Sequence, residues 1–361
     1  MTTACGWTVA LGVALSAWGD NLETPDARPR ADSSVDAGRT PVERGRYIMN
    51  NLGACTFCHT PLNPDGTRNN NRLFAGWSCA DTIPFLDADP ATAGVGCIGA
   101  RNLTNHPTGL MNATDEAIKE AIKNGVRTDG KKLVPVMPYW VFHNMTDDDL
   151  DAIVAYLRTV PGVDNTVPPN EPPWSDINDN NTASPVCNGG TCTATPIDPA
   201  SIPLPSAGTA DMASAMRGRY LSSMAGLCID CHTIDQPFVP PAFPPFFPTP
   251  VQTTKLWSGG RIFLKEQLGL VDASYPAMIS TRNLTSHATG LEGWTVDQIK
   301  DAIANGKDRE GNAVCAATHG SLISPYAGLD PADLTDIANY IKSLPPVDNN
   351  TGANCAGPPV P

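Results

Sequence analysis

The chain contains a second copy of itself. "RGRYIMNNLGACTFCHT" at 44–60 returns as "RGRYLSSMAGLCIDCHT" at 217–233, and "RNLTNHPTGL" at 101–110 returns as "RNLTSHATGL" at 282–291. "DEAIKEAIKNG" is answered by "VDQIKDAIANG", and "DDLDAIVAYLRTVPGVDN" by "ADLTDIANYIKSLPPVDN". The blocks recur in the same order, so one architecture is expected twice, in units of about 120 to 130 residues, an ordinary domain size. The boundaries read as 38–163 and 210–348, with 164–209 between them and a tail at 349–361. A chain of 361 residues is long enough for each unit to bury its own core.

Helix signals fall at matching places in both copies. A first helix spans roughly Val42 to Leu52, and its counterpart roughly Ala213 to Met224. A second begins after Thr114 or Thr295, where Thr295 and Gln298 form a capping box, and stops at Gly125 or Gly306. The last helix starts after Thr146 and stops before Pro161 in the first copy, with Leu150, Ile153, Val154 and Leu157 at helical spacing. Its counterpart carries Leu334, Ile337 and Ile341, with Asp330 as N-cap and Pro331 at the first helical position. Strand alternation is nowhere sustained, so the expected class is all-α with long Pro-rich loops.

The segment 164–209 is rich in Pro, Asn, Thr and Ser and too poor in apolar residues to fold alone. It reads as a linker, clipped by a small loop between Cys187 and Cys192. A second proline-rich insert, "QPFVPPAFPPFFPTP", follows the cysteine pair of the second copy, and its phenylalanines need a surface to pack on.

Eleven cysteines are too many for a reducing cytosol. The apolar run in "WTVALGVALSAWGDN" has signal-peptide length and ends in small residues, so residues 1–20 read as an export signal that would remove Cys5. Leu15, Ser16 and Ala17 resemble the end of a lipoprotein signal, but Trp18 stands where the lipid-bearing cysteine would be. No stretch of about 18 apolar residues is present, so no spanning helix is expected in the mature chain. The predicted location is the periplasm or the outer face of a bacterial envelope. A net charge of −13 argues against nucleic acid as partner, because a phosphate backbone needs clustered Lys and Arg.

The chemistry lies in Cys55-Thr56-Phe57-Cys58-His59 and Cys228-Ile229-Asp230-Cys231-His232. C-x-x-C-H is the attachment pattern of c-type haem. Two thiols one helical turn apart reach the two vinyl groups, and the next residue sets an imidazole against the iron. A zinc site would need further paired ligands, and a thioredoxin-like motif would need alternating strands and helices. Two covalent haems c are therefore expected, with His59 and His232 as proximal ligands.

An iron that only carries electrons usually has a second axial ligand, and methionine is common in cytochromes c. In the first copy Met137 is the candidate, in "LVPVMPYW", between the stiffening Pro135 and Pro138. Core filling is the alternative use of a methionine; Met145 and Met111 are poorer candidates.

On these residues each copy resembles a class I cytochrome c domain, and is most similar to the cytochrome subunits of membrane-bound alcohol and gluconate dehydrogenases. The shared run is R-G-x-Y, C-x-x-C-H-T, an Asn-x-Thr segment followed by T-G, a short helix, M-P-Y, and a terminal helix ending in Leu-Pro. The resemblance implies that Gly45 and Gly218 let the first helix cross closely over the last, where Tyr156 and Tyr340 occupy equivalent places. It also implies that Asn102 and Asn283 lie beside the haem edge and that Met137 is the distal ligand. Those subunits usually carry three haems and a membrane anchor, whereas this chain shows two motifs and no anchor segment.

Carrying the second copy forward from "RNLT" without gaps sets Thr318 opposite Met137, with His319 one residue on and no methionine in the loop. His319 is thus the candidate distal ligand of the second iron, with Met278 and a vacant sixth position as alternatives. His106 and His287 match between copies and are expected to share a role near the haem edge or in loop hydrogen bonding; His143 is expected at the surface. The remaining cysteines suggest the pairs Cys79–Cys97, Cys187–Cys192 and Cys315–Cys355. The expected function is electron transfer between redox proteins, a dehydrogenase or terminal oxidase among them, rather than catalysis. A di-haem peroxidase or thiosulfate-oxidising enzyme would need an open second haem, and a haem filament would pack its cofactors more densely.

Overall fold

The computed structural model describes residues 38–81, 97–184, 187, 190–233, 253–264, 276, 278–314, 319 and 324–352. The export signal with Cys5 and Trp18, the phenylalanine-rich insert, Thr318, Cys315 and Cys355 lie outside the described residues.

In the first half, α1 (Pro41–Tyr47) runs into a π-helical turn (Ile48–Leu52), and α2 (Cys55–His59) follows. Then come α3 (Asp115–Asn124), α4 (Tyr139–Phe142) and α5 (Asp147–Leu157). After α6 (Trp174–Asn178), the second half repeats the plan with α7 (Met212–Ser223), α8 (Cys228–Cys231), α9 (Val296–Asn305) and α10 (Pro331–Lys342). The expected caps form: Thr114 and Thr295 accept from Ala117 and Gln298 backbone N–H groups at 3.2 Å. The Gln298 side chain in turn accepts from Thr295 N at 2.9 Å, completing the capping box. Gly125 (φ 64°) and Gly306 (φ 62°) end α3 and α9 in the left-handed conformation that glycine adopts without strain. Asp330 stands at the N-cap of α10, but its carboxylate pairs with Arg39 instead of capping the helix.

The all-α expectation needs one correction. β1 (Ile262–Leu264) and β2 (Met278–Ser280) pair antiparallel, with Ile262 opposite Ser280. Among the described residues the first half has only a bridge between Trp77 and Ala100 at the corresponding place. Three-residue strands are too short for side-chain alternation to register in a sequence.

Within each half the first and last helices touch backbone to backbone. A Cβ on Gly45 would overlap the Ala152 carbonyl and stand 2.9 Å from Ile153 N. A Cβ on Gly218 would meet the Asp336 carbonyl and Ile337 N in the same way. Beside each crossing the aromatic partners agree: Phe74 meets Tyr156, and Trp257 meets Tyr340, both edge-on at 79°.

The two halves share one continuous core, which includes Ile48, Leu52 and Leu150 from one side and Leu221, Met224 and Ile337 from the other. Polar contacts cross between them in pairs. Tyr220 donates to Asp149 Oδ2 at 2.7 Å and accepts from Thr146 N at 3.1 Å, at the start of α5. Its counterpart Tyr47 accepts from Asp330 N at 3.2 Å, at the start of α10. Arg44 grips Asp149 with two nitrogens at 2.8 and 2.9 Å, and Arg217 pairs with the equivalent Asp333. Both aspartates are buried, so these bonds offset the loss of water around their charges.

The segment 164–209 is folded rather than left extended, its first part against the first half and residues 199–206 against the second, where Arg219 donates to Pro199 O and Ile202 O and Tyr340 donates to Pro203 O. Trp174 and Ile177 of α6 and the Cys187–Cys192 disulfide pack with Leu62, Trp77 and Ile98. Ile197 and Ile202 enter the main core. Among the described residues no helix is long and apolar enough to cross a membrane.

Asn102 and Asn283 join the loop after each attachment helix to the strand of chain after the last helix. Asn102 Oδ1 accepts from Thr104 N and Oγ1 (2.9 and 2.7 Å), and its Nδ2 donates to Thr108 Oγ1, Val163 O and Asn165 O (3.1, 2.9 and 3.2 Å). Asn283 repeats every one of these bonds with Thr285, Thr289, Val347 and Asn349.

Two outcomes follow for urea unfolding. Gly45→Ala should destabilise the protein by about 2 kcal/mol or more, because neither crossing backbone has room to retreat. Gly38→Ala, with nothing within 4 Å, should stay within about 0.5 kcal/mol. Asn102→Ala and Asn283→Ala should each cost about 2 kcal/mol or more, by similar amounts, since each leaves the same buried groups unpaired. A neutral result for either asparagine would contradict the stapling role.

Candidate functional site

Each attachment segment begins at a tight bend. Ala54, in the left-handed region at φ 50°, turns the chain into α2, whose single turn sets Cys55 and Cys58 on one face. Cys228 and Cys231 hold the same positions on α8, and all four thiols are free. Burial pushes Cys55, Cys58 and Cys228 up to about 12, and Cys231 higher still. A nucleophilic cysteine would need its pKa lowered, not raised. Among the described residues no three His, Cys, Asp or Glu side chains converge as a metal-binding group.

The two histidines that follow the cysteines are held alike. His59 Nδ1 lies 2.8 Å from Arg101 O, and His232 Nδ1 lies 2.8 Å from Arg282 O. A carbonyl can only accept, so Nδ1 carries the proton and Nε2 keeps a lone pair, the arrangement that orients a metal-binding imidazole. Burial lowers the pKa of both rings, that of His232 to about 4, where the nearby His319 adds to the effect. Both are neutral at pH 7, the form that ligates a metal. The next residues, Thr60 and Thr233, are buried and accept from Phe74 N (3.0 Å) and Trp257 N (3.3 Å). Their recurrence in C-H-T was the available signal for this role, which sequence reasoning missed.

Cys55, Cys58, His59 and Met137 open onto one cavity of about 290 Å³, otherwise walled mainly by aliphatic side chains of the π-helical turn, α3, α5 and the loops. Leu227 of the second half closes part of it. Met137 sits in a bend in which its N–H donates to Val134 O (3.0 Å) and its carbonyl accepts from Tyr139 N (2.7 Å). Met145 is buried and also reaches this cavity, whereas Met111 is 51% exposed. An apolar cavity holding a thioether, an imidazole lone pair and two neutral thiols spaced one turn apart fits a covalently attached haem.

In the second half, the His319 ring lies 6.2 Å from the His232 ring, centroid to centroid, with 54° between their planes. His319 Nδ1 lies 3.2 Å from Ile303 O, which again leaves Nε2 bare. Metal–imidazole bonds of about 2 Å on both sides set ring centroids about 6 Å apart. On the other side His319 stacks on Tyr326 at 5.1 Å and 22°. Met278 belongs to β2, and its side chain lies outside the described residues.

His106 and His287 serve the loops. Thr108 N and Thr289 N each donate to the histidine Nδ1 at 3.2 Å. His143, expected at the surface, is half-buried with Nδ1 facing Lys123 O and Asn124 Oδ1, so it closes the end of α3. The pairs Cys79–Cys97 and Cys187–Cys192 are formed as expected.

The sequence is similar to those of known proteins. Residues 42–161 match the family model for cytochrome c. The cytochrome c subunit of the quinone alcohol dehydrogenase of Gluconacetobacter polyoxogenes is 28% identical over 352 residues, covering 97% of this chain and 62% of that protein. The gluconate 2-dehydrogenase cytochrome c subunit of Pantoea cypripedii is 24% identical over 305 residues, 84% of this chain and 59% of that protein. A diheme cytochrome c-type protein of Cereibacter sphaeroides is 32% identical over 125 residues, 34% of this chain and 36% of its own length. The chain thus spans less than two thirds of the alcohol dehydrogenase subunit that it matches. It carries a cytochrome c domain over residues 42–161 and resembles the cytochrome c subunits of dehydrogenases along most of its length.

Proposed function

We propose that this protein is a di-haem c-type cytochrome that moves electrons between redox partners in a bacterial cell envelope. The observation that carries the reading is the matched tethering of His59 and His232, each behind a Cys-x-x-Cys turn and each held at 2.8 Å by an arginine carbonyl. Two tandem class I cytochrome c domains, 38–163 and 210–348, would each hold one haem c, with 164–209 packed between them against both.

Haem iron, when bound, supplies a one-electron couple. In the first domain Cys55 and Cys58 would supply the thioethers, and His59 Nε2 and the Met137 sulfur would hold the iron. The aliphatic wall keeps water away. In the second, Cys228 and Cys231 would supply the thioethers, and His232 and His319 would hold the iron. Methionine raises the potential relative to a second histidine, so the two sites differ and electron flow between them acquires a direction. An open second site, as a peroxidase would need, is disfavoured by the His319 imidazole facing His232.

Dehydrogenase cytochrome subunits dominate the relatives, so the partner proposed is a dehydrogenase, with this chain as its electron-transfer component rather than its catalyst. The formed disulfides support an oxidising compartment.

The mature exported protein should gain the mass of two haems, absorb as low-spin haem, and titrate in two separate waves. His319→Ala should turn one haem high-spin and leave the other unchanged; Met137→Ala should do the reverse. An unaltered spectrum in His319→Ala, or one unsplit wave at a His/Met-like potential, would overturn the ligand assignment.

A further inference from the structure

The ring that stacks on His319 belongs to a turn fastened to the other half of the chain. Tyr326 opens the 3-10 turn Tyr326–Gly328 and is buried, with 8% of its surface exposed. Asn51 Nδ2, in the π-helical turn just before Cys55, donates to Pro325 O at 2.7 Å. The same amide packs so closely on Gly328 that a Cβ there would collide with it. The segment leading to the first attachment site therefore grips Tyr326 from both sides along the chain.

The first half uses the matching residue differently. Pro325–Tyr326 repeats Pro138–Tyr139, but Tyr139 accepts from Ala194 N at 2.8 Å and lies against Gly125. Stacking on an imidazole is thus particular to the second half, where histidine takes the place of methionine as candidate ligand. The hydrogen bond to Ile303 O holds one nitrogen of His319 but leaves its ring free to swing about that bond. A near-parallel aromatic ring at 5.1 Å removes that freedom. The angle between two axial imidazole planes shapes the electronic levels of the iron they share, and the groups around a ligand tune its metal.

We propose that Tyr326 is a positioning residue for His319: its ring, anchored through Pro325 to Asn51, fixes the plane of the distal imidazole and so tunes the second haem from the first half of the chain. The inference rests on His319 being the distal ligand.

The test is low-temperature electron paramagnetic resonance of the oxidised holoprotein, together with a redox titration, on Tyr326→Phe, Tyr326→Leu and His319→Ala. Tyr326→Phe keeps the ring and should keep the signal and potential of the second haem. Tyr326→Leu should leave that haem low-spin but shift both its largest g value and its potential, with the first haem unmoved. Tyr326→Met, also without a ring, replaces Tyr326→Leu if the latter does not accumulate, with the same expectation. If the non-aromatic variants leave g value and potential unchanged while His319→Ala becomes high-spin, positioning by Tyr326 is refuted and the ligand assignment stands. If His319→Ala stays low-spin, both fall.

Discussion

Two helices can cross with their backbones in contact only where the residue at the crossing has no side chain, and Gly45 and Gly218 meet that condition against Ala152 and Asp336. Everything else is registered from these two contacts. Each crossing brings an arginine of the first helix onto an aspartate of the last, Arg44 on Asp149 and Arg217 on Asp333. Those helix starts are also contacted from across the molecule, Asp149 by Tyr220 and the Asp330 N–H by Tyr47. The exchange is reciprocal: each half lends a phenol to the start of the other's last helix. A single core spanning both halves is the packing counterpart of that arrangement.

The same registration governs the sites. The first helix of each half leads directly into its attachment turn, so fixing the crossing fixes the cysteines. The opposite wall is a loop whose asparagine ties it to the chain after the last helix, and the carbonyl just before that asparagine is the one that holds the proximal histidine. Arg101 O and Arg282 O are therefore placed by the same network that holds Asn102 and Asn283. Imidazole orientation is a property of the whole fold rather than of the motif.

Much of this was legible in the sequence where physics is local. Capping threonines, terminal glycines and 3.6-residue spacing marked the helices, and C-x-x-C-H marked the attachment turns. The glycine crossings and the asparagine segments followed from likeness to known cytochromes. What escaped depends on distant partners. The scattered apolar residues of 164–209 read as linker because nothing local says that Trp174 and Ile177 face Trp77 and Ile98. Tyr47 and Tyr220 were visible as a repeat, but not as residues that serve the opposite half. His319 was reached by carrying the repeat forward without gaps, although matching Pro325–Tyr326 to Pro138–Tyr139 puts Ser324 in the place of Met137. Sequence register alone therefore leaves the second ligand open, and the 6.2 Å spacing of the rings is the stronger argument.

The most direct test of the account is diffraction from crystals of the mature protein at the iron absorption edge. Two anomalous peaks are predicted, one beside His59 Nε2 on the side of the Met137 sulfur and one between the His232 and His319 rings. A single peak, or a second peak without the His319 ring on its far side, would contradict it.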